Sequence, residues 1–138
     1  MIKKLPPALS IICVVVLIIA VFFSPRVVVR NPDNAQIISL EYNEEYQRGG
    51  DGFVMLENYD EKEILEILHG YKERRSLSRA QGYAMEDVQL RIILTAGNRS
   101  KEILLGDVNY SSAGNGTAKF SVIYYDDLRN ELLGRLGY

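Results

Sequence analysis

In "VQLRIILTAGNRSKEILLGDVNY", residues 88–110, Val88, Leu90, Ile92 and Leu94 would share one face of an extended chain. That period of two marks a half-buried strand, because successive side chains leave a pleated backbone on opposite sides. "TAGNRS" supplies the turn, with Asn98 able to take left-handed backbone angles. The chain returns through "KEILLGDVNY" (101–110), turns again at "SSAGNGT" and runs out along "AKFSVIYY" (118–125), where Phe120, Val122 and Tyr124 fall together. Three strands joined by tight loops make an antiparallel meander.

Working outward, "QIISLEY" (36–42) and "GFVMLENY" (52–59) are two further strand candidates, and the glycines of "QRGGDG" between them provide positive φ for the connection. The period then becomes helical. Asp60 is a cap, Glu63 completes a capping box, and Ile64, Leu65, Leu68 and Tyr71 line one face while Lys62 and Glu66 pair on the other. Gly70 or the "SLSRAQG" region ends this helix. A second helix, "DDLRNELLGRLGY", opens with Asp126 and Asp127, carries Leu128, Leu132 and Leu136 on one stripe, and stops at Gly137. Residues 36–138 are therefore expected to form an α+β domain: one antiparallel sheet of about five strands with two helices packed on one face.

The N-terminus has a different character. In "ALSIICVVVLIIAVFFSPR" (8–26) no charge occurs between Lys4 and Arg26, and residues 8–23 are apolar apart from Ser10. Sixteen helical residues rise ~24 Å, short of the ~30 Å hydrocarbon core, and Leu5, Pro6, Pro7 and Ser24 could lengthen the rod. Cleavage after Ala20 or Ser24 would put bulky Ile18 or Phe22 where a signal peptidase wants a small residue, and Ile12 precedes Cys13 where lipoprotein processing wants one. The expectation is thus an N-terminal transmembrane helix over residues 1–25, kept as a signal anchor and meeting the lipid bilayer through residues 5–24. A spacer follows over 26–35. The protein would be single-pass in the cell membrane, with its C-terminal domain outside the cytoplasm.

Beyond residue 23 the chain carries fourteen Lys and Arg against eighteen Asp and Glu, a balance that disfavours a nucleic-acid partner. The one cysteine, Cys13, permits neither an internal disulfide nor a Cys-rich zinc site. His69, the one histidine, has no nucleophile in a recognisable setting nearby. Acidic groups gather at Glu41, Glu44 and Glu45, at Asp60, Glu61 and Glu63, and at Asp126 and Asp127; paired acids can run glycoside hydrolysis across a cleft, but the last two groups already serve helix starts. "GGDG" and "GNGT" lack the spacing of phosphate or calcium loops. Lys72, Arg74, Arg75 and Arg79 form a basic run diluted by Glu73, of the kind that touches anionic lipid or ends a helix in solvent. Nine tyrosines offer contact area, and Asn98, Asn109 and Asn115 each open an Asn-x-Ser/Thr triplet. No catalytic, cofactor-binding or metal residue is assigned, and no cofactor is called for.

The order of "IISLEY", "YDEKEILEILHGYKE", "VQLRIILTAGNRSKEILLGD" and "AKFSVIYYDDLRNELLGRL" resembles small extracytoplasmic domains of Gram-positive bacteria, including the YhfM-like domain. The resemblance spans residues 36–137 and implies no catalytic residues. The chain departs from those domains in lacking a processed, lipid-bearing cysteine. The resulting expectation is a non-catalytic binding or accessory domain facing a protein or envelope partner. The rival readings are a small envelope hydrolase using paired carboxylates and a cytoplasm-facing accessory subunit of a membrane complex.

Overall fold

A computed structural model describes residues 6–77, 83–114 and 118–138. Lys4, Leu5, Arg79 and Asn115 lie outside the described residues. Among the described residues there are three α-helices, α1 (Pro7–Phe22), α2 (Glu61–His69) and α3 (Tyr125–Leu136). The strands are β1 (Arg26–Val27), β2 (Ala35–Asn43), β3 (Phe53–Met55), β4 (Lys72–Arg75), β5 (Val88–Ala96), β6 (Arg99–Gly106), β7 (Asn109–Ala113) and β8 (Ala118–Val122). They form one antiparallel sheet in the order β1-β4-β8-β7-β6-β5-β2-β3.

Register fixes which side chains face the core. Leu90 opposes Leu105, Ile92 opposes Ile103, and Leu40 opposes Ile92, so these residues project from one side of the sheet. There they meet Ile64, Leu65 and Leu68 of α2 and Leu128 and Leu132 of α3 in a single buried cluster. The α2 start is satisfied as its residues require, since the Asp60 carboxylate accepts the Glu63 N–H at 3.2 Å. Gly70 closes the helix.

Several features correct the sequence reading. The sheet has eight strands rather than about five. "KEILLGDVNY" divides between β6 and β7, making the meander four strands long. "KERR" (72–75), expected at a solvated helix end, is strand β4, paired with β8 on one side and β1 on the other. In the two-residue loop between β5 and β6 it is Gly97 that takes positive φ, 63°, and not Asn98, as a turn with glycine at its first central position demands. The stretch expected as a spacer also takes part in the fold. Arg26 and Val27 pair with β4, Val28 and Val29 are buried, and the segment passes a short 3-10 turn at Pro32–Asn34 before entering β2.

The largest correction concerns the N-terminus. No helix among the described residues is long and apolar enough to cross a membrane. This overturns the transmembrane helix, the signal anchor, the single-pass arrangement and the placement in the cell membrane with an outward C-terminal domain. Both ends of α1 show why the rod is not lengthened. Pro6 has ψ 141° and stands outside the helix. At the other end Ser24 precedes Pro25, and a proline ring pushes the residue before it out of helical geometry. The Ser24 hydroxyl folds back to donate to the Val21 carbonyl at 2.7 Å, and the helix stops at Phe22, sixteen residues and ~24 Å from its start.

Candidate functional site

Not one residue of α1 is buried. Leu9, Ile11, Ile12, Val14 to Ile19, Val21 and Phe22 are all exposed, and they point in every direction around the helix axis. A surface helix of an ordinary domain carries one apolar stripe and a polar remainder; a helix apolar on all sides is a helix whose surroundings are themselves apolar. This is the largest exposed apolar feature among the described residues, and exposed apolar surface of that extent marks a binding surface.

The base of α1 is tied to one corner of the sheet. The Arg75 guanidinium lies 4.1 Å from the Phe22 ring centroid and 5.4 Å from that of Phe120, and Arg26 caps the Phe120 ring at 3.5 Å. Strand alternation then sorts the basic run. Glu73 and Arg75 project to the helix side, while Lys72 and Arg74 project to the opposite face and are exposed. Lys119 on β8 stands on that same opposite face, two residues from Ser121, the partner of Arg74. Leu77, just beyond β4, is 80 % exposed. Pro25, Tyr71, Lys72, Ile123, Tyr124 and Asp127 line a mainly apolar cavity of about 300 Å³ at this corner. Tyr124 is held at φ 58°, the one described residue other than glycine with positive φ, and its side of the cavity is open to solvent. For a bulky side chain that backbone conformation is strained, and such strain gathers at working sites.

Beneath the corner lies a charge cluster that the sequence did not disclose. The fully buried Glu73 carboxylate accepts from Lys101 Nζ at 2.5 Å, from Ser111 Oγ at 2.7 Å and from Arg26 Nε at 3.0 Å. These groups come from four separate strands, so their meeting depends on register alone. Burial lowers the Lys101 pKa, and the opposing pull of Glu73 limits the fall. Glu73 is thus spent inward, and it does not dilute Lys72 and Arg74 on the other face.

The remaining sequence candidates occupy other places. His69 Nδ1 lies 2.8 Å from the Val29 carbonyl and tethers the chain that follows β1 to α2. Glu41 and Glu102 both contact Arg91, at 3.4 and 2.9 Å, on the face away from the helices, where a cavity of about 300 Å³ is bounded by Ile93, Glu102, Tyr110 and Ser112. Glu61 accepts the Ile37 N–H at 2.6 Å. Asp126 and Asp127 stand in the first turn of α3, and Asp126 pairs with Arg129 at 3.0 Å. Asn98 sits in the β5–β6 turn, whereas Asn109 uses both ends of its amide on the Val122 backbone at 2.8 Å. Tyr46 and Tyr71 have pKa values pushed up to about 12, by partial burial first and then by hydrogen bonds to Asp107 at 2.6 Å and Glu131 at 2.7 Å. No three metal-ligating side chains converge among the described residues. No family model, curated protein or solved structure matches the chain, so the site is read from its geometry.

Proposed function

We propose that this protein is a non-catalytic binding domain whose ligand is lipid hydrocarbon, taken up around α1 without the helix crossing the layer. The observation that carries the reading is the sixteen-residue helix with no buried residue and no polar stripe. A single protein groove would cover one side of such a rod and leave the rest in water. Lipid surrounds it on all sides, and burial of apolar side chains is worth ~25 cal/mol per Å². At ~24 Å the helix is shorter than the ~30 Å hydrocarbon core, so it does not reach from one face of the layer to the other. The eight-stranded sheet would then be the part that a protein or envelope partner meets.

Cys13 supplies the test, being the one cysteine and exposed near the middle of α1. A polarity-sensitive fluorophore on Cys13 should shift to the blue when the chain is mixed with phosphatidylcholine vesicles, and the chain should float with them in a density gradient. Changing Val15 and Ile18 together to Asp should leave the chain at the bottom. An unshifted probe, with the unaltered chain also left in the aqueous fraction, would refute the proposal.

A further inference from the structure

We infer that the sheet corner at the foot of α1 recognises anionic phospholipid headgroups, an inference that rests on the lipid reading above and gives it a headgroup class. The chain as a whole carries a net charge of −2, yet this corner gathers Arg26, Lys72, Arg74, Arg75 and Lys119. The carboxylates at the corner are Glu73, which is buried and engaged by Lys101 and Arg26, and Asp127 at the edge of the cavity beside Lys72. Among the described residues Lys72, Arg74, Arg75 and Lys119 form no salt bridge. A local excess of cations on an acidic chain is not explained by solubility.

Its position is what identifies the ligand. Arg75 packs on Phe22, the last residue of α1, and Lys72 shares the corner cavity with Pro25, three residues beyond the helix. With α1 immersed, these cations lie at the level where hydrocarbon gives way to headgroups. Each Lys or Arg near an anionic surface contributes an attraction that fades within a Debye length, ~8 Å at physiological salt. Tyr124 presents an exposed phenol ring with a polar tip at the same corner, the aromatic type that settles at a lipid–water boundary. Long basic side chains can lay their stems along the apolar phase and keep their charges at the headgroups. The phosphate recognised is carried by lipid, because the apolar helix and the cations share one foothold.

The experiment is flotation of the full chain with phosphatidylcholine vesicles and with vesicles containing phosphatidylglycerol, over a salt series. The expected result is at least about tenfold tighter binding to the anionic vesicles, diminishing as salt rises. Lys72→Glu with Arg74→Glu, both exposed, should abolish that preference and leave phosphatidylcholine binding unchanged; the milder Lys72→Gln with Arg74→Gln should reduce it. Circular dichroism matching the parent establishes that both variants fold. Equal binding to the two vesicle types, or a preference that survives the charge reversal, overturns the headgroup inference while leaving hydrocarbon binding intact. Failure to bind either vesicle overturns both. Loss of the preference in millimolar glycerol phosphate would assign the corner to a free phosphate ester and overturn the lipid source.

Discussion

Glu73 shows how one residue can fasten several strands. It stands on β4, its ligands come from β6, β7 and the β1 segment, and its side chain is wholly enclosed. Removing one member of a buried charge cluster is costly because the others remain desolvated without compensation. Glu73→Gln keeps the shape and deletes the charge, and it should lower unfolding free energy by ~3–5 kcal/mol in urea denaturation. Adding Lys101→Met to that variant should recover part of the loss, as expected when an uncompensated ammonium is the main penalty. A loss below about 1 kcal/mol for the single change would contradict this account. The tyrosines give a second prediction at this scale. Tyr46 and Tyr71, with pKa values raised to about 12 against an ordinary 10.0, should ionise late in a phenolate absorbance titration, and Tyr46→Phe should remove one late component. Because the folded-state value lies above the unfolded one, their stabilising contribution is whole below pH 10 and is lost as pH climbs from about 10 toward about 12. Nothing in "KERR" announces the Glu73 cluster, since its partners are 28 or more positions away and are joined to it only by pairing.

At the scale of elements, what was legible was what is local. The cap at Asp60, the apolar face of α2 and the Leu128–Leu132 stripe of α3 follow from neighbours within two turns, and the structure places them accordingly. The strands that escaped notice are β1, β4 and β7, whose residues are "RV", "KERR" and "NYSSA". None has the apolar alternation that marks a strand, because these segments owe their extended form to the partners they pair with rather than to propensity. The length of α1 is likewise set by more than its hydropathy. Hydropathy continues through Phe23, but Pro25 and the returning Ser24 hydroxyl end the helix first. Another case is Gly106, at the end of β6 where the pairing with β5 slips by a residue between Val88 and Leu90. A methyl group there would collide with the Asp87 carbonyl and crowd the Gln89 N–H, both fixed backbone. Gly106→Ala should therefore destabilise by ~3 kcal/mol, as overpacking does, measured as a fall in the urea midpoint without a change in slope. An unchanged midpoint would mean that the bulge moves aside freely.

The whole molecule divides its work unevenly. Nearly all of its burial lies in the sheet and in α2 and α3, while α1 shares only the Arg75–Phe22 contact with that body among its described ring contacts. Deleting residues 1–23 should consequently shift the thermal midpoint by less than about 4 °C, the displacement that ~1 kcal/mol produces in a domain of this size. A collapse of the midpoint on deletion would show that α1 supports the fold. The sequence indicated a helix-covered sheet preceded by an apolar rod, and it held no signal for the corner where the two meet, because that corner is made by β1 and β4 coming together from opposite sides of α2. The same pairing has a bearing on how copies of the chain behave when crowded. The outermost strands, β1 and β3, are two and three residues long, so a neighbouring chain finds only a few open rungs to join. Fibrous stacking through the flanks is starved at its first step, and a concentrated suspension should clump through its greasy helices, reversibly with detergent, rather than harden into cross-β threads.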